Sequence, residues 1–107
     1  MTTFDERKDA YENKFAHDAE LKFRAEARRN RLLGKWAAGE LGKSGPEADA
    51  YALTIVQADL EEAGDEDVFR KVRGDFDAAG LAKSDDEIRE QMDKLLITAA
   101  EQIEKEG

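Results

Sequence analysis

Helix stop and start signals punctuate this chain at short intervals, and they leave room for little but a helical fold. Gly42-Lys43-Ser44-Gly45-Pro46 is the first break. Gly42 suits the position just past a helix C-terminus, and Pro46 suits the first turn of the next helix. Gly64-Asp65 is the second break, with Asp65 as an N-cap. Gly80 opens the third, and Ser84 with Glu87 makes a capping box at its far side. Between breaks, apolar residues recur at three- and four-residue steps rather than alternating. Tyr51, Ala52, Ile55, Val56 and Leu60 mark a helix over about 47–63. Val68, Phe69, Val72, Phe76 and Ala79 mark the next, with Gly74 a weak point inside it. Ile88, Met92, Leu95, Leu96, Ala99 and Ile103 mark the last. Loops this short favour antiparallel neighbours. The expected fold is all-α: a four-helix bundle-like domain with a long, partly disordered N-terminal helical segment.

The first helix is expected to cover much of residues 5–41, and its character differs from the others. Residues 1–43 hold ten Lys/Arg against eight Asp/Glu, a net of +2, whereas residues 44–107 hold seven against eighteen, a net of −11. Such asymmetry suggests two jobs. Apolar marks fall at strict four-residue steps, Tyr11, Phe15, Ala19, Phe23 and Ala27, so the stripe winds slowly around a 3.6-residue helix. Pairs such as Asp18–Lys22 and Glu20–Arg24 support a helix without folding one. Phe4, Tyr11, Phe15 and Phe23 stand among charged residues and Ala, a pattern that suits helix-in-groove recognition as well as core packing. Residues 1 to about 18 are therefore expected to fray in the free protein. Apolar density rises from Leu32 through Leu33, Trp36 and Leu41, and that end should dock on the domain despite Gly34 and Gly39.

Composition removes several function classes. The chain has no Cys, so disulfides and thiolate metal sites are excluded. A formal net charge of −9 argues against nucleic acid, whose phosphates would repel it. Met1 to Glu12 lacks the apolar stretch of a signal peptide, and no apolar run approaches the ~20 residues that span a bilayer. A soluble cytoplasmic protein without direct membrane insertion is the expectation.

Motifs of chemistry are weak. Gly42-Lys43-Ser44 resembles the end of a phosphate-binding loop, but the required earlier Gly is Ala37 and a helix rather than a strand precedes it. Asp75, Asp77, Gly80 and Asp86 match four positions of a calcium loop, yet position five is Ala79 and the final ligand is not Glu. His17, the single histidine, has Glu20 on its helix face but Asn13 and Leu21 four residues away, which is too few ligands for zinc. A solvated His17 and a pH-sensing one both fit its position. Ser44 and Ser84, the only serines, sit where caps are expected. No catalytic residue, cofactor or metal is expected.

Phe4-Asp5-Glu6-Arg7, Lys14-Phe15-Ala16-His17-Asp18 and Ala27-Arg28-Arg29-Asn30-Arg31-Leu32-Leu33-Gly34-Lys35-Trp36-Ala37-Ala38 resemble the zeta subunit of alphaproteobacterial ATP synthase. Gly64-Asp65-Glu66-Asp67-Val68 continues the likeness, which runs over nearly the whole chain. The resemblance implies an inhibitor of the F-type ATPase. In that family a mobile N-terminal segment enters a catalytic interface of the enzyme head and stops rotation in the hydrolysis direction. Residues 1–22 occupy the matching position here, and residues 23–107 would form the four-helix domain. Phe4, Arg7, Tyr11, Lys14, Phe15, His17, Lys22 and Phe23 are then the expected partner-binding residues. The implied partner is the catalytic head, at an alpha/beta interface and the central rotor shaft, reached at the cytoplasmic face of the inner membrane. Two other readings stay open from the residues: a nucleotide-binding, energy-sensing helical domain using the Lys43 region, and an unrelated helical adaptor.

Overall fold

The computed structural model describes residues 3–15, 17–58 and 65–106, and every element in them is helical. Five helices follow in order: α1 (Thr3–Lys14), α2 (Ala19–Glu40), α3 (Pro46–Ala58), α4 (Glu66–Ala78) and α5 (Asp85–Glu106). Leu60 and the expected stop at Gly64 lie outside the described residues.

The breaks do what their residues dictate. Leu41 caps α2 and Gly42 follows at φ +80°. The Gly42 amide donates to the Gly39 carbonyl at 3.1 Å and the Lys43 amide to Ala38 at 2.8 Å, a paired closure that a left-handed residue makes possible. The end of α4 repeats it: Gly80, at φ +73°, donates to Asp77, and Leu81 donates to Phe76. Pro46 opens α3. At α5 the Glu87 amide donates to Ser84 Oγ at 3.1 Å, and the Ser84 hydroxyl turns to the Glu87 carboxylate at 3.4 Å. Asp65 stands at the N-cap of α4, where its carbonyl accepts from the Phe69 amide but its side chain caps no amide. Its carboxylate lies 3.9 Å from both Arg29 and Arg89 instead.

One expectation is corrected: residues 5–41 are two helices, not one. α1 ends at Lys14, and Asp18 caps the start of α2, its carboxylate accepting from the Glu20 and Leu21 amides at 3.0 and 3.1 Å. Asp18 is thus a cap rather than the i,i+4 partner of Lys22. An Asp at the start of a helix satisfies orphan amides and meets the positive end of the helix dipole. The break also resets the apolar phase. A continuous four-residue stripe would drift off the core, whereas two helices each aim their own face.

α2 is the hub, packing on both α3 and α5. Leu33 and Ala37 from α2, Ile55 from α3, Val68, Val72 and Phe76 from α4, and Ile88 and Met92 from α5 form the main core. Trp36 closes it edge-on to Phe76, with ring centroids 5.6 Å apart. α2 and α3 can approach closely because position 34 is Gly. A Cβ there would stand 2.5 Å from Ala52 Cα and 2.9 Å from its Cβ. Gly39, by contrast, has open space around it.

Alanine at these two positions should act in opposite directions. Gly34→Ala should destabilise by ~1–3 kcal/mol, since backbone must move to admit the methyl. Gly39→Ala should stabilise by ~0.5–1 kcal/mol through helix propensity. Urea unfolding of the two variants checks both signs.

Candidate functional site

The segment that stood out by charge and aromatic spacing folds as α1 and lies against α5. Asp5 and Glu6 sit in its first turn and Lys14 in its last, the order that complements a helix dipole. Tyr11 lies four residues after Arg7, and Lys14 and Phe15 lie three and four after Tyr11, so the four share one face. That face meets α5. Arg7 Nε donates to Glu101 Oε2 at 2.7 Å, and a terminal nitrogen donates to Oε1 at 2.8 Å, a two-pronged pair. The same nitrogen reaches Thr98 Oγ1 at 3.3 Å. Lys14 Nζ donates to Glu104 at 3.0 Å.

Between these polar contacts the rings seal the joint. Tyr11 and Phe15 stack at 5.6 Å with planes 11° apart. Phe15 is 2% exposed, packed with Ala25, Ala100 and Ile103 and flanked by Leu21 and Leu96. The sequence led us to expect a frayed segment with its rings free. The segment is instead a helix, and Phe15 is buried, because α1 ends at Lys14 and lies back against α5. Burial, and then the nearby Glu26 carboxylate, push the Tyr11 phenol up.

The other expected site residues scatter. His17 is exposed in the turn between α1 and α2, and Lys22 is exposed on α2. Phe23 is 65% exposed on α2 and belongs to a different surface. The Phe4 side chain lies outside the described residues. The counter-surface on α5, Thr98, Glu101 and Glu104, escaped the sequence reading. Its signal was present as a polar row at three-residue steps beside the apolar row ending at Ile103, but nothing marked it as a partner of Arg7 and Lys14. Nearby, Arg28 of α2 pairs with Glu106 and ties the end of α5 to the hub.

Residues 1–102 match the family model described as ATPase inhibitor subunit zeta. The chain belongs to that family. The match covers α1 to α4 and reaches into α5. No curated protein matches the chain. A solved solution NMR structure does: it is 49% identical, covers 81% of this chain and 99% of its own, and superposes with a TM-score of 0.72. Membership of an inhibitor family marks the chain as a regulatory subunit associated with ATP synthase rather than as one of its catalytic subunits. Among the described residues no helix is long and apolar enough to cross a membrane, and no group of three His, Asp or Glu is placed to hold a metal.

Acid should loosen α1. The Arg7 guanidinium holds the Glu101 carboxyl below the usual carboxylate range. A carboxyl depressed in the docked form stabilises that form above about pH 4.3 and loses the contribution as acid protonates it in place. Both groups are more than a third exposed, so solvent screens the effect. Amides of α1 should therefore exchange faster as pH falls from 5 to 3, after correction for intrinsic rates, with a steeper rise than in Glu101→Gln.

Proposed function

We propose that this zeta subunit silences ATP hydrolysis by delivering residues 1–22 into a catalytic interface of the enzyme's soluble head. Residues 23–107 then form the domain that remains outside. The observation that carries this reading is the way α1 is attached. It is a separate helix beyond a break, and no described residue of α1 contributes to the main core of α2–α5. Its described contacts with α5 are two ion pairs, the second of them openly exposed, a hydrogen bond to Thr98, and the packing of Tyr11 and Phe15 against Leu96, Ala100 and Ile103. Exposed ion pairs are worth roughly 0.2–1 kcal/mol each, and a buried ring roughly 1.5–3 kcal/mol. Such a joint opens without unfolding the domain.

The docked arrangement is then a resting form. Tyr11 and Phe15, the anchors for a groove in the enzyme, are covered by α5 until α1 leaves. Arg7 and Lys14 exchange Glu101 and Glu104 for acceptors on the enzyme. A 12-residue helix is marginal alone in water, so the released segment frays and orders again on insertion. The complex forms at the cytoplasmic face of the membrane that carries the enzyme, at an alpha/beta interface beside the rotor shaft.

ATP hydrolysis by the cognate enzyme tests this. Deleting residues 1–18 should abolish inhibition while cooperative melting of α2–α5 persists. Full inhibition by the truncated chain would place the active surface on the domain. Glu101→Gln should speed the onset of inhibition by up to about fivefold, because the removed pair is worth at most ~1 kcal/mol. Phe15→Ala should weaken inhibition by at least roughly tenfold, as loss of a central aromatic anchor does. It should also raise α1 exchange, since the same ring holds the docked form.

A further inference from the structure

Among the described residues, Phe23 and Leu53 are the two large apolar side chains left exposed, at 65% and 56%, and they line the same groove. The groove lies between α2 and α3 and measures about 770 Å³. Ala27, Ala52, Val56 and Ile103 add to its apolar lining. Along one edge α2 presents Arg24, Arg28, Arg31 and Lys35, at steps of four, three and four residues. These positions form one stripe on a helix, and eleven residues of rise spread it over about 16 Å. Asp49 is the one carboxylate in the lining. Arg28 is engaged by Glu106, and Glu106 also feels Arg24. Neither Arg31 nor Lys35 has a carboxylate partner among the described residues.

We infer that this groove docks an acidic amphipathic helix of a partner protein, about three turns long. Two apolar side chains of that helix would cover Phe23 and Leu53, and Asp or Glu on its flank would meet Arg24, Arg31 and Lys35. Three observations select this occupant. The apolar lining calls for apolar area, and an apolar patch rimmed by charge is the anatomy of a protein interface. The cations are strung along a line, which matches the pitch of a helix, whereas a phosphate-bearing small ligand draws cations around a point. A second copy is disfavoured because a two-fold contact through this face would set the cation row against itself. The surface adjoins the α1 joint at Ile103, and the inference does not depend on how α1 acts.

A titration of the full chain, followed by NMR, tests the inference. The probe is a synthetic 14-residue helix carrying two Leu one or two turns apart on one face and Glu on its flanks. Saturable shifts confined to the surroundings of Phe23, Leu53 and Val56 support it. So does a loss of at least tenfold in affinity in Arg31→Glu/Lys35→Glu with an unchanged melting temperature, both side chains being exposed. A twin peptide with Lys in place of Glu should bind at least tenfold more weakly. No saturable shift overturns the proposal, and so does equal binding of the Lys twin. Shifts that grow with protein concentration alone would assign the groove to a second copy. Shifts at Phe23 and Leu53 with phosphatidylserine vesicles but not with the Glu peptide would assign it to a membrane.

Discussion

The close approach of α2 to α3 at Gly34 sets the geometry on which the rest of the molecule depends. Only hydrogen fits opposite Ala52, so the two helix backbones come nearer than side chains elsewhere allow. That approach places Leu33 and Ala37 on one side of α2, inside the core with Ile55 and Phe76. It leaves Arg31 and Lys35 on another, beside Leu53. A wider spacing would unseat the core and change the groove together. A glycine that reads as a defect in helix propensity is therefore the contact that admits a third and fourth helix.

Helix ends were legible because each is settled by local chemistry. Gly42 and Gly80 close helices with positive φ, Pro46 starts one, and Ser84 caps one; each acts within a few residues of itself. Core faces of α3, α4 and α5 were legible for the same reason, since Ile55, Val72, Phe76 and Met92 keep a regular step. Asp18 was the failure. It carries the same capping chemistry as Ser84, but no Gly or Pro precedes it, and the apolar stripe appeared to continue through Ala19 to Phe23. A stripe at exact fours is itself a warning, because it cannot stay on one face of a straight helix.

The α1 joint was illegible for a different reason. Arg7 meets Glu101 across ninety-four residues of sequence. With eighteen acidic residues after Lys43, no rule of spacing selects Glu101 and Glu104 from the rest. Pairings of this kind are decided by how helices are stacked, which follows from the core and not from the pairing residues. Phe15 shows the consequence. Its surroundings in sequence are polar, and its surroundings in space, Ala25, Ala100 and Ile103, come from two other helices.

No described residue before Leu33 enters the main core. Substitutions within α1 therefore bear on its joint with α5 rather than on the main core. The two parts of the chain can drift at separate rates. If α1 acts as proposed, a change in the enzyme's groove can be met by changes in α1 that leave the main core of α2–α5 untouched.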